Sequence, residues 1–143
     1  MKKSFKSIIA LLLVITSVIC VVSCGKEVDV EGLWQNATYK ADTEFGSGAK
    51  TVNVEFKLEE KVITFTIYTD KATVGEALLE HKLISGDAGE FGMYIKVVNG
   101  ITADYDVDKS YWAFYINGDY AMSGVDMTDI DETAKYQLAY TKE

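Results

Sequence analysis

Proline is missing from all 143 residues, histidine occurs once and cysteine twice. Without proline the chain must reverse on glycine and asparagine, which gather at Gly46-Ser47-Gly48, Gly86-Asp87-Ala88-Gly89, Asn99-Gly100 and Asn117-Gly118. Both cysteines, Cys20 and Cys24, lie near the start, so the long remainder holds no disulfide, thiolate zinc site or thiol nucleophile. His81 reads as a surface residue late in a helix, and a lone imidazole is a poor start for a transition-metal centre. No Ser-His-Asp order, paired-carboxylate motif or glycine-rich phosphate loop stands out. Ser85 is too near His81 along the chain to be its partner, and the glycines of 86–89 follow a helix instead of opening one. An enzyme is therefore not expected. Internal repeats and low-complexity tracts are absent as well.

Acidic side chains are absent from residues 1–23, where Lys2, Lys3 and Lys6 precede an apolar run over 8–22. That layout is a secretory signal, and at 15 residues the run falls short of the roughly 20 that span a bilayer core. The segment Val21-Val22-Ser23-Cys24-Gly25 resembles the lipobox of bacterial lipoproteins, which implies diacylation of Cys24 and cleavage before it. Cys20 fits less well because Ile19 before it is not small. Two acyl chains suffice for stable anchoring, each buried methylene contributing about 0.8 kcal/mol. The expected organisation is a signal peptide over 1–23, a lipidated tether over 24–31 and a single domain over 32–143, held extracytoplasmically on the cell membrane through Cys24. Loss of the leader removes three of the 14 basic residues and none of the 22 acidic ones, which leaves a formal net charge of −11. Such a surface repels phosphate backbones and anionic lipid heads, so neither nucleic acid nor polybasic membrane docking is expected.

Beyond the tether the dominant period is two. Val52, Val54, Phe56 and Leu58 alternate with polar residues over 51–58, and Ile63, Phe65 and Ile67 do so over 62–68. Glu59-Glu60-Lys61 is a short polar connection between them, which makes the pair an antiparallel hairpin with one buried face. A helix is predicted from Thr73, which has the capping-box spacing to Glu76, to a point between His81 and Leu83. Strands follow over 93–98, 111–116 and 135–141, and 33–40 is a candidate edge strand. Two strands, a helix and then more strands is the order of an α+β fold of β-grasp type, a mixed sheet with one helix packed on one face. An antiparallel sandwich is the alternative.

Over about 64–142 the chain resembles the uncharacterised bacterial exported domains related to the C-terminal domain of transcobalamin and intrinsic factor. The residues that carry the likeness are Thr73-Val74-Gly75-Glu76-Ala77-Leu78, Tyr94 with Val98-Asn99-Gly100, the run Tyr111-Trp112-Ala113-Phe114-Tyr115-Ile116-Asn117-Gly118, and Gly124-Val125-Asp126. The resemblance implies a β-grasp-like fold, which in the vitamin carriers closes over cobalamin. Their helical barrel has no counterpart in this sequence, so cobalamin binding does not follow from the fold alone.

Alternation places Trp112, Phe114 and Ile116 on one face of their strand and Tyr111, Ala113 and Tyr115 on the other. Trp112 belongs to the core in that register, and a one-residue slip would instead make it the side chain that stacks on a ligand. Tyr94, Tyr111, Tyr115 and Tyr120, together with Trp112, are the candidate ligand-binding residues. Tyrosine offers flat apolar area, a hydroxyl and little entropy to lose, which suits sugars, planar rings or a partner protein. Asp104, Asp106 and Asp108 stand at alternate positions, where carboxylates can converge on a hard cation such as calcium. Lys109 and Tyr115 occupy the glycine and glutamate positions of an EF-hand loop and exclude that motif. A solvated acidic loop is the plainer reading of these acids. The sequence thus reads as a lipid-anchored binding module for a small molecule, glycan or envelope protein. A structural or adhesion domain and a calcium-binding surface domain are the alternatives, and neither cobalamin nor calcium is required as a cofactor.

Overall fold

A computed structural model describes residues 30–143; the leader, both cysteines and the first part of the tether, with the lipid site at Cys24, lie outside the described residues. The elements are α1 (Val30–Gln35), β1 (Thr43–Gly46), β2 (Lys50–Leu58), β3 (Lys61–Thr69), α2 (Val74–Glu80), β4 (Ile84–Asp87), β5 (Tyr94–Val98), β6 (Ile101–Thr102), α3 (Tyr105–Asp108), β7 (Ser110–Ile116), β8 (Asp119–Tyr120), a 3-10 turn (Val125–Met127) and β9 (Tyr136–Lys142). Among the described residues no helix is long and apolar enough to cross a membrane.

The alternating pattern behaves as the period of two requires. β2 and β3 pair antiparallel from Lys50↔Thr69 to Leu58↔Lys61, and Val52, Val54, Phe56, Leu58, Phe65 and Ile67 are sealed on one face. The main sheet runs β1-β3-β2-β9-β7-β8. β9 lies parallel to β2 and antiparallel to β7, so the sheet is mixed, with the final strand between the hairpin and β7. With α2 following the hairpin, this is the α+β arrangement expected.

Helix α2 starts where the capping box predicts. Glu76 N–H donates to Thr73 Oγ1 at 3.2 Å, and Thr73 N–H donates to Glu76 Oε2 at 3.2 Å, a motif that stabilises a helix start by about 1 kcal/mol. Its buried Val74, Ala77 and Leu78 face the core. Gly75 is required by packing: a Cβ there would lie 2.7 Å from the Asp126 backbone, so the helix can seat on the 3-10 turn only with glycine at this place.

β4, β5 and β6 form a second, three-stranded sheet. Asn99, in the left-handed region at φ 51° and buried, ties it to the rest. Its side chain donates to Tyr39 O and accepts from Tyr39 N–H, both at 2.8 Å, while its own N–H donates to Leu83 O at 2.8 Å.

Four expectations are corrected. Residues 33–40 do not form an edge strand. Leu33 and Trp34 are adjacent apolar residues on the short helix α1, and Trp34 covers Phe56 at 6.0 Å between ring centroids. The outer strand is β1, paired parallel to β3. α1 also begins within the segment read as tether, and its Glu31 pairs with Lys61 at 3.1 Å. Gly86 and Asp87 lie in β4, not in a loop, with a bulge between Ser85 and Gly86. His81 is no plain surface residue: its ring packs 5.3 Å from Phe45 and its Nε2 is sealed without a hydrogen-bond partner.

Candidate functional site

Four tyrosines from four separate elements meet at one hollow. Tyr94 comes from β5, Tyr105 from α3, Tyr111 from β7 and Tyr120 from β8, and together they line a cleft of about 680 Å3. The positions follow from local rules. The Asn117-Gly118 turn, with φ 51° and 85°, is a two-residue hairpin that brings Tyr120 opposite Tyr115. Asp104 caps α3 by accepting from Asp106 N–H at 3.1 Å, and Lys109 closes the helix in the left-handed region at φ 62°. That single turn swings Tyr105 to within 6.4 Å of Tyr111, edge to face.

The remaining lining is charged. Asp87, Asp104, Asp106 and Glu143 face Lys96 alone, and Lys96 is already paired with Asp87 at 2.8 Å. Its hydrogen bond to Asp87, and then the charges of Asp87 and Asp104, hold the Lys96 ammonium above its ordinary pKa. Tyr105 donates to Glu143 Oε2 at 2.7 Å, and that bond with the carboxylate charge pushes the phenol up. Burial first, and then the charge of Glu143, raises Tyr111. With four carboxylates against one ammonium in its lining, the cleft is acidic.

Beside it lies a second hollow of about 390 Å3, which shares Tyr94, Tyr111 and Tyr120 and reaches Trp112 and Phe114. Its lip carries Phe91, 74% exposed, and Met122, 94% exposed. The 89–93 loop that presents Phe91 is pinned by Asp126 Oδ1, which accepts from Met93 N–H at 2.7 Å, and by Gly124 N–H donating to Phe91 O at 2.9 Å.

The structure brings Tyr94, Tyr111 and Tyr120 together in the larger cleft, whose lining includes neither Trp112 nor Tyr115. Trp112 is 6% exposed, donates Nε1–H to Ile101 O at 3.1 Å and packs 5.3 Å from Phe56. It is a core residue whose edge reaches the second hollow. Tyr115 lies on the outer face, edge to face with Tyr120 at 5.7 Å, and opens on a separate small hollow with Lys135 and Gln137. Residues missed by pattern are Tyr105, hidden in the acidic run; Glu143, remote in sequence; and Phe91 and Met122, isolated apolar residues without periodicity.

The acidic run itself is a turn of helix, where alternate positions project about 200° apart and do not converge. Asp104 caps the helix, and Asp108 accepts from Ser110 N–H at 3.1 Å and from the Ser110 hydroxyl, which holds its carboxyl below the ordinary range. Among the described residues no group of three histidine, cysteine, aspartate or glutamate side chains is placed to hold a metal ion.

A family model described as a domain of unknown function, DUF4430, matches residues 71–142, half of the chain. Among solved structures, a candidate metal-binding protein from Ruminococcus gnavus ATCC 29149 is 25% identical with a TM-score of 0.61, over 66% of this chain and 99% of that one. Haptocorrin in complex with Cbi is 17% identical with a TM-score of 0.49, over 65% of this chain and 25% of haptocorrin's length. No curated protein matches the chain.

Proposed function

The chain belongs to the DUF4430 family, a family of unknown function, and from that premise we propose that it is a lipid-anchored extracytoplasmic module that binds a small ligand in the tyrosine-lined cleft. The observation that carries this reading is the convergence of Tyr94, Tyr105, Tyr111 and Tyr120 on one hollow. Tyrosines that merely clothe a sheet lie side by side along neighbouring strands. Here they arrive from two sheets and a helical turn. The volume of about 680 Å3 falls within the roughly 300–1,000 Å3 of small-molecule sites. Anchoring is supported by the lipobox-like run ending at Cys24.

The module is proposed to bind without catalysis, because the nearby carboxylates of Asp104 and Asp108 are engaged in holding turns. The name of the Ruminococcus gnavus relative points to a metal. The donor set in this cleft, four phenols and carboxylates that diverge, suits a ring or hydroxyl-bearing ligand better.

Spectra of the purified full chain in neutral detergent, titrated with aromatic fragments and with mono- and disaccharides, test the site. Resonances of the four cleft tyrosines should move, and Tyr105→Ala with Tyr111→Ala should abolish the response. Shifts confined to the Tyr115 hollow, or none, would overturn the proposal. Labelled fatty acid should enter the wild-type chain and not Cys24→Ala; equal detergent partitioning of both would remove the anchor.

A further inference from the structure

The two hollows share three tyrosines and so form one trough with unlike ends. At one end Asp104, Asp106 and Glu143 are unmatched by any free cation in the lining, since Lys96 is taken by Asp87. At the other, Phe91 and Met122 stand exposed over a floor reached by Trp112 and Phe114. A neutral sugar uses neither feature fully, and an anion is repelled by the first. Tyrosine rings present a negative face to a cation. The chain supplies a local instance: the Lys109 ammonium lies 4.5 Å from the Tyr105 ring centroid.

We infer that the trough takes an organic cation with an apolar arm, its ammonium among the tyrosines and carboxylates and its arm along Phe91 and Met122. The inference rests on the cleft being the binding site and adds the ligand's chemical class. Acid side chains and ring faces together stabilise a substituted ammonium that is too large and too weakly hydrated for a bare metal site. The apolar end then rewards length, each buried methylene raising affinity about fourfold.

Calorimetric titration of the full chain in neutral detergent decides it, with choline compared against its uncharged isostere 3,3-dimethylbutan-1-ol, and butyl- against hexyltrimethylammonium. Choline should bind at least tenfold tighter than the alcohol, and the hexyl arm, two methylenes longer, about fifteenfold tighter than the butyl. Asp106→Asn with Glu143→Gln should cut choline affinity at least fivefold and leave the alcohol unchanged. Met122→Ser should remove most of the gain from the longer arm. All three side chains are exposed, and melting curves confirm that the variants remain folded. Equal binding of choline and the alcohol, or full choline affinity in the double variant, overturns the inference. If fragments or sugars move the cleft tyrosines while no ammonium binds, the cation assignment alone falls; if nothing moves them, the cleft reading falls with it.

Discussion

β2 and β3 each pair through nine residues and seal every second side chain, whereas β6 and β8 are two residues long and α3 is a single turn. The hairpin side is held by a continuous ladder and a shared apolar face. The cleft side is held by side chains bolted to backbone: Asn99 to Tyr39, Asp126 to Met93, Ser110 to Asp104 and Asp108, Trp112 to Ile101. A ladder leaves few side chains free for other work, because half are buried and the rest face water. Bolted turns leave neighbouring side chains such as Tyr105 and Phe91 free of packing duty, and that is where the cleft forms.

The sharpest way to break this contrast is to attack a residue that serves both sides. Trp112→Ala should cost roughly 3–5 kcal/mol, since it empties a core site beside Phe56 and leaves the Ile101 carbonyl without its donor. Urea denaturation measures it, and a cost below that of Tyr115→Ala would show the strand faces exchanged. Next in size, Asn99→Ala should cost about 2–3 kcal/mol by removing two hydrogen bonds at a left-handed residue, while Asn99→Gly, which keeps the backbone easy, should cost less. Equal losses would show that the bolt, not the conformation, matters. Tyr115→Ala should cost under about 1 kcal/mol, because its face is open and no sealed cavity results.

The smallest effect is one of pH. The Asp108 carboxyl is held below its ordinary 3.8 by the Ser110 hydroxyl bond. A depressed folded pKa stabilises the protein above the unfolded value, and the contribution fades as pH falls through 3.8 toward the folded pKa. Wild type should therefore exceed Asp108→Asn in stability at neutral pH and converge with it in acid. A difference that is constant across this range would deny the charged form its role.

Where the backbone is regular, residue order was enough to see it. The alternation over 51–58, the Thr73 and Glu76 spacing and the two Asn-Gly turns each report a local force that the fold did not override. β1 was hidden because its four residues, Thr43–Gly46, hold one large apolar side chain and so show no apolar alternation, and their pairing with β3 is parallel and non-local. Gly86 looked like a loop because a bulge strand needs it: a Cβ there would lie 2.0 Å from Tyr94 O. For the site, alternation separated Trp112 from Tyr111 correctly, yet no period links Tyr105 on a helical turn to Tyr94 on a second sheet. Their meeting is a property of topology.

The position of β9 between β2 and β7 also sets a timetable. Val54 is translated about 80 residues before its neighbour Tyr136, a delay of roughly 4–16 s at ordinary rates of synthesis. Until β9 arrives the hairpin keeps an unpaired edge, and β7, completed about 20 residues ahead of Tyr136, adds a second, so the faces that will meet over Leu138 stay apart. The nascent chain cannot close its main sheet early, so a chaperone or translocation machine that requires an unfolded substrate can engage it until residues 136–142 emerge. The same order makes a truncation between Ile116 and Tyr136 a product with two open strand edges, and so prone to aggregate.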